Sequence, residues 1–262
     1  MAPAKARDIL ICGMQYDHEL REGTMSVLDL APVAARLGVQ GVEYREVYWK
    51  DKARELPALR EQLRQLGLKA TYATTTPLYS ADPSVQAQLR QDLEDAHALG
   101  SPLLRVFRGE APPAGDAGKA VVAAARAVVR QAGDYGMRLA LENGNAGKRL
   151  ADVRETLAQL ASPVMGTNVD ISNYAIDGQD PVAAIRALAP WIIYAHLKDV
   201  KQTPEGGKAT YLGNGSLPLG DILAAFDATG RDFPFCFEFG GEGDPEMALT
   251  RSLAYMRRLM GQ

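Results

Sequence analysis

Residues 138–170 read RLALENGNAGKRLADVRETLAQLASPVMGTNVD, and their pattern decides the fold. Arg138–Glu142 is a short apolar run that ends on a carboxylate. Ala151–Leu160 carries apolar residues at helical spacing, and Val164–Asp170 is a second apolar run ending on a carboxylate. Together they form a strand–helix–strand unit, the element from which parallel sheets are assembled.

The same alternation continues in both directions. Further strands are expected at Ile9–Met14, Val39–Arg45, Leu68–Thr74, Leu103–Phe107, Ile192–Lys198 and Pro234–Phe239. Helices are expected at Ser26–Leu37, Asp51–Leu66, Pro83–Leu99, Asp116–Tyr135, Pro181–Leu188, Leu219–Ala228 and Pro245–Leu259. Gly38, Gly67, Gly100, Gly136 and Gly230 follow helix ends, where a left-handed residue stops the helix. Asp-Pro at 82–83, 180–181 and 244–245 places an N-cap before a proline suited to the first turn. Eight such units in 262 residues, about 33 residues each, predict an α/β fold, a single-domain (β/α)8 TIM barrel over residues 1–262 with residues 1–7 as a disordered tail. No Gly-x-Gly-x-x-Gly or Walker sequence supports an open nucleotide-binding sheet. Residues 200–217 read as a long polar loop on the face where barrels build their sites.

Composition narrows the function. Lys+Arg 29 against Asp+Glu 32 gives a net charge of −3, with no general positive field for nucleic acid. No run is long and apolar enough for a membrane span, and Met1–Asp8 is too polar for a signal peptide. Cys12 and Cys236 cannot form a disulfide framework and read as buried thiols, so a cytoplasmic protein is expected. With only His18, His97 and His196, any metal must be held mostly by carboxylates.

Four successive strands carry Glu142, Asp170, His196 and Glu238 at or near their C-terminal ends. Side chains alternate across a strand. In the last strand Phe233, Phe235, Phe237 and Phe239 share one face, which must meet the helices, so Glu238 faces the barrel axis. By the same parity Glu142, Asp170, His196 and Lys198 point inward, with Ile193, Ala195 and Leu197 outward. Three converging carboxylates repel one another unless a cation lies among them. Two Glu, one Asp and one His suit Mn2+ or Mg2+, with Co2+ or Zn2+ as alternatives. Lys198, beside the metal and in low dielectric, is expected to lose proton affinity and act as a catalytic acid or base. Glu43 and Arg45 on strand two and Arg105 on strand four have inward parity and are candidate substrate-binding residues. Tyr72 and Thr74 on strand three, with Trp49 and Tyr79, are expected to form a wall for a sugar ring. His18 reads as a rim residue and His97 as a helix residue without a role in chemistry.

Gly41-Val42-Glu43-Tyr44-Arg45, Leu104-Arg105-Val106-Phe107-Arg108-Gly109, Leu141-Glu142-Asn143, Asp170-Ile171-Ser172-Asn173, His196-Leu197-Lys198-Asp199 and Phe237-Glu238 resemble the xylose isomerase-like TIM barrel superfamily, of sugar isomerase/epimerase and AP endonuclease family 2 type. The resemblance implies that Glu142, Asp170, His196 and Glu238 ligate one divalent metal ion per chain, with Mn2+ favoured, and that Glu142 and Glu238 exchange protons with substrate. It implies a keto sugar or cyclitol substrate and a homo-oligomer. Ketose 3-epimerases of the group carry Asp-x-x-His where this chain has Asn173, which can bind a hydroxyl but cannot act as a base. Endonucleases of the group use histidines that this chain lacks. The expected function is therefore a metal-dependent isomerase or epimerase acting through an enediolate, with no nucleic acid and no membrane partner. A dehydratase of a keto-cyclitol, 3-keto sugar or dehydroshikimate-like substrate is the second reading, and a non-catalytic sugar-binding barrel the third. Glu242 and Asp244 after the last strand oppose a phosphate there.

Overall fold

The computed structural model describes residues 6–240 and 243–261. Its strands are β1 Ile9–Cys12, β2 Gly41–Arg45, β3 Lys69–Pro77, β4 Leu103–Phe107, β5 Arg138–Glu142, β6 Met165–Asp170, β7 Ile192–Leu197, β8 Asp199–Thr203, β9 Gly206–Thr210 and β10 Phe235–Phe237. All except β8 and β9 form one closed parallel barrel, in which β10 lies between β7 and β1. Closure is set by the pairing of Ile9, Leu10 and Ile11 with Phe235, Cys236 and Phe237.

The helices are α1 Asp17–Glu22, α2 Leu30–Leu37, α3 Lys52–Leu66, α4 Pro83–Leu99, α5 Asp116–Asp134, α6 Leu150–Leu160, α7 Ile171–Ile176, α8 Pro181–Leu188, α9 Leu219–Ala228 and α10 Pro245–Leu259. The short α1 and α7 follow strand ends, and the other eight match the expected segments closely. Asp82, Asp180 and Asp244 cap α4, α8 and α10 by accepting from the backbone N–H two residues on. Gly38, Gly67 and Gly100 take the left-handed conformation that ends α2, α3 and α4. No described helix is long and apolar enough to cross a membrane.

Outward strand residues such as Tyr44, Leu104, Leu141, Phe235 and Phe237 pack against the helices in one large cluster. Inside the barrel, Leu10, Cys12, Leu103, Ala140, Ile193, Tyr194 and Cys236 form a second, smaller cluster. It is a floor on which the polar residues above are built.

Three expectations are corrected. Ile193, expected outward, belongs to the inner floor, because the β6–β7 register jumps from Ile192 to Tyr194 while β6 advances one residue. Arg7, expected in a disordered tail, is buried over the Phe233 ring and paired with Asp227, whereas residues 1–5 of that tail lie outside the described residues. The polar loop at 200–217 contains the antiparallel β8–β9 ribbon, which packs against α7. A two-stranded ribbon buries little, so its sequence carries no apolar alternation. The neck of this excursion is held by Asp199, whose buried carboxylate accepts from the N–H groups of Val200 at 2.8 Å, Gly213 at 3.1 Å, Gly215 at 3.1 Å and Leu217 at 2.9 Å. Gly215 is required there, since a Cβ would stand 2.4 Å from Asp199 Oδ1.

Candidate metal centre

The C-terminal ends of the parallel strands lie together at one end of the barrel, and four ligand-type side chains meet there. Glu142 closes β5, Asp170 closes β6, His196 lies in β7 and Glu238 follows β10. One ligand atom from each lies within 4.8 Å of all the others, and all four residues are buried. Asp170 is also the N-cap of α7. Its Oδ1 accepts from Ser172 N at 3.0 Å and Asn173 N at 2.9 Å, which leaves Oδ2 to the centre. Asn143 fixes the Asp170 backbone from β5, accepting from its N–H at 2.8 Å and donating to its carbonyl at 2.9 Å.

Glu142 accepts from Asn168 Nδ2 at 3.0 Å and Asn173 Nδ2 at 3.3 Å, and its Oε2 lies 3.0 Å from Arg105 Nε. His196 Nε2 lies 2.9 Å from Glu43 Oε2. Its Nδ1 lies 3.4 Å from Glu142 Oε2 and 3.3 Å from Glu238 Oε2, and makes no well-directed hydrogen bond. Lys198 Nζ approaches Asp170 Oδ2 at 2.6 Å and Glu238 Oε2 at 2.5 Å. Arg45 reaches Glu238 Oε1 at 3.5 Å.

These residues fit a divalent cation. A buried imidazole nitrogen faces carboxylate oxygens, its opposite nitrogen is already engaged, and the oxygen-rich set suits a hard ion. Glu43–His196–Cys236 and Cys12–Glu43–Glu238 are two further groups within ligand reach. Each would need a thiolate or a sulfur freed from other bonds. Burial pushes the Cys236 thiol well up, and Cys12 Sγ is hydrogen-bonded to Glu43 at 3.3 Å. The carboxylate-rich quartet is the better centre.

The electrostatics divide the two catalytic candidates. Burial raises the Glu142 carboxyl above its ordinary value, more than Arg105 and His196 lower it. Burial also opposes ionisation of Glu238, but Lys198, His196 and Arg45 outweigh it and hold that carboxyl well below the ordinary range. Burial likewise opposes ionisation of His196, yet Glu43, Glu238 and Glu142 raise it well above its usual value. Burial favours the neutral form of Lys198, but Asp170 and Glu238 overcome this and raise its proton affinity.

The expected site residues separate into two groups. Arg45, Arg105, Asn173 and Lys198 join the quartet. Glu43 also points inward, but it is fully buried and His196 and Cys12 take both its oxygens, so a substrate finds no free atom on it. Tyr72 and Thr74 do not join. Tyr72 belongs to the outer cluster and stacks on Trp49 at 6.1 Å, and Thr74 donates to Asp92 of α4 at 2.6 Å. Tyr79 is buried with its hydroxyl on Gln159. The inward residue is Thr71, bonded to Tyr194. His18 is exposed, and His97 stacks on Tyr135 in the helix layer. Asn143, Asn168 and Cys12 were not anticipated as partners of the centre. The inward parity of Asn168, two residues before Asp170, was the available signal.

A cleft of about 220 Å³ lined by Phe107, Gly144, Asn145, Lys148, Asn173, Ile176 and Asp177 adjoins the centre through Asn173. A larger cavity of about 560 Å³ lies at the opposite end of the barrel, between Arg7, Gln40, Pro234 and Arg257. It contains none of the converging residues, whereas the smaller cleft shares Asn173 with them.

The family model for the xylose isomerase-like TIM barrel matches residues 31–259. No curated protein matches the sequence. Among solved structures, D-allulose 3-epimerase from Methylomonas sp. in complex with D-allulose superposes with a TM-score of 0.77 at 18% identity, covering 98% of this chain and 99% of that one. D-psicose 3-epimerase with D-tagatose from Clostridium cellulolyticum H10 gives 0.78 at 15%, covering 97% and 99%. The probable 3-DHS dehydratase AsbF from Bacillus anthracis gives 0.75 at 19%, covering 96% and 98%. At these identities the likeness establishes the fold.

Proposed function

The chain belongs to the xylose isomerase-like TIM barrel family, and we propose that it is a divalent-metal-dependent isomerase or epimerase of a small carbohydrate, a keto sugar or cyclitol. The observation that carries this is the set of four buried ligand atoms within 4.8 Å, with His196 Nδ1 turned toward carboxylates. When bound, a divalent ion, Mn2+ in the first instance, would acidify a C–H between two chelating substrate oxygens and stabilise the enediolate. Glu238, held ionised by Lys198, His196 and Arg45, takes the proton at its carboxylate. Glu142, across the centre from it and also within 3.4 Å of His196 Nδ1, returns one. The Lys198 ammonium faces the charge that develops on substrate oxygen, and Asn173 and Arg45 hold neighbouring hydroxyls.

A dehydratase is favoured by one feature. Asn173 cannot carry a proton to the opposite face, whereas the Lys198 ammonium can protonate a departing hydroxyl. Incubation of the Mn2+-loaded protein with ketoses and keto-inositols in deuterated water, followed by mass analysis, separates the readings. An isomerase or epimerase incorporates deuterium into a product of otherwise unchanged mass, and a dehydratase loses one water. Metal-loaded protein that binds a sugar but does neither would leave the non-catalytic barrel.

A further inference from the structure

We infer that Glu43 is a positioning residue for His196, and that Cys12 completes the device by holding Glu43. Thiol, carboxylate and imidazole then form one buried relay that presents Nδ1 to the metal. The inference rests on the metal-centre reading above.

All three side chains are fully buried. Cys12 and Glu43 are register partners on the adjacent strands β1 and β2, so their inward side chains stand side by side. From there Glu43 reaches across the barrel interior to His196 on β7, and its Oε2 meets Nε2 at 2.9 Å. Its Oε1 meets Cys12 Sγ at 3.3 Å. The direction of that last bond is fixed by a third group. Met14 N–H donates to the Cys12 sulfur at 3.4 Å, so the sulfur accepts there and turns its own proton toward Glu43. A carboxylate at Nε2 holds the proton of the neutral imidazole on Nε2, so Nδ1, which faces Glu142 and Glu238, is the nitrogen a cation would engage. Tyr194, edge-on to the imidazole at 5.3 Å, limits rotation of the ring. Ring orientation and tautomer are thus set from beneath, by residues out of reach of any substrate.

The test uses the parent, Asp170→Ala, Glu43→Gln, Cys12→Ser and Cys12→Ala. Affinity for Mn2+ is measured by competition with a chelator. The histidine nitrogens of Zn2+-loaded, 15N-labelled protein are read by NMR, where three histidines give a simple spectrum. Glu43→Gln should weaken Mn2+ binding about 10- to 100-fold, the usual cost of losing such a partner. Cys12→Ser, which keeps a donor, should bind as the parent does. Cys12→Ala should lose about fivefold, the worth of one hydrogen bond, and should lose nothing more in the Glu43→Gln background. In the parent, His196 should carry its proton on Nε2 and bind Zn2+ through Nδ1. A Glu43 with only a structural role would lower the melting temperature and leave Mn2+ affinity unchanged, and that result overturns the inference, as does Zn2+ bound through Nε2. If Glu43→Gln does not fold, the parent spectrum and the two Cys12 variants decide. A parent that binds no more Mn2+ than Asp170→Ala removes the metal-centre reading, and this inference with it. A parent that binds Mn2+ alongside an unaffected Glu43→Gln removes this inference alone.

Discussion

The inner face of the barrel changes character within two residues on several strands. Leu103 gives way to Arg105, Ala140 to Glu142, Tyr194 to His196 and Cys236 to Glu238. The lower set forms an apolar floor, and the upper set is a network of paired charges, both shielded from solvent. Burial is common to the two layers, but its energetic sign differs. An apolar side chain gains roughly 1.5–3 kcal/mol from burial, whereas a buried charge costs several kcal/mol unless it is paired. The floor and outer shell therefore stabilise the fold, and the upper layer draws on that stability to hold charges ready for a ligand.

The strongest way to break this contrast is to remove a ligand. Asp170→Ala should abolish stable metal binding and turnover while the barrel stays folded, as seen by metal analysis and circular dichroism. One ion per chain retained in that variant would be incompatible with the quartet. Next in size, Lys198→Met should lower turnover by about 100- to 10,000-fold with metal content unchanged. Near-normal turnover would leave the Lys198 ammonium without a part in the reaction.

The floor should respond in the opposite way. Leu103→Ala is expected to cost about 2–5 kcal/mol of stability by denaturant unfolding, with metal stoichiometry and turnover preserved where the protein is folded. Loss of metal without loss of stability would mean that the two layers are not separable. At the neck of the ribbon, Asp199→Ala should cost about 2 kcal/mol by denaturant unfolding and leave metal content unchanged, since the excursion rather than the quartet loses its support. The smallest effect is expected at Tyr72→Phe. Its hydroxyl is buried on the outer face and makes no well-directed hydrogen bond among the described residues, so stability should hold within about 1 kcal/mol and turnover should not change. A clear drop in turnover would return Tyr72 to the site.

What could be read in advance was local. Asp-Pro starts, glycine stops and helical apolar spacing are written in neighbouring residues, so the element order and most helix limits followed from them. The quartet was legible because Phe235 and Phe237 fixed the parity of β10, and β5 and β6 repeat the same plan. β3 gave no such guide. In Lys69–Pro77 both faces carry small or polar residues, and buried Asp92 on α4 supplies an outward partner for Thr74, so Tyr72 and Thr74 were given the wrong face. Ile193 was misread because the parity count assumed no bulge. Glu43 was placed on the correct face and given the wrong task, because its bond to His196 joins residues 153 positions apart. Nothing in either segment alone announces that bond.

Asp199 has a consequence for how such a barrel can change. Its carboxylate ties residues 200, 213, 215 and 217 to one point directly beyond Lys198, so the excursion leaves and returns at the same place. The length of the ribbon is then decoupled from the strand that carries His196. Doubling a closed loop costs only about 0.6 kcal/mol in chain entropy. Ribbons of different length or sequence can be exchanged beyond Lys198 while the strand that carries His196 keeps its register. Asp199 makes the ribbon a graftable module, whose length and sequence can drift without disturbing the strand beneath it.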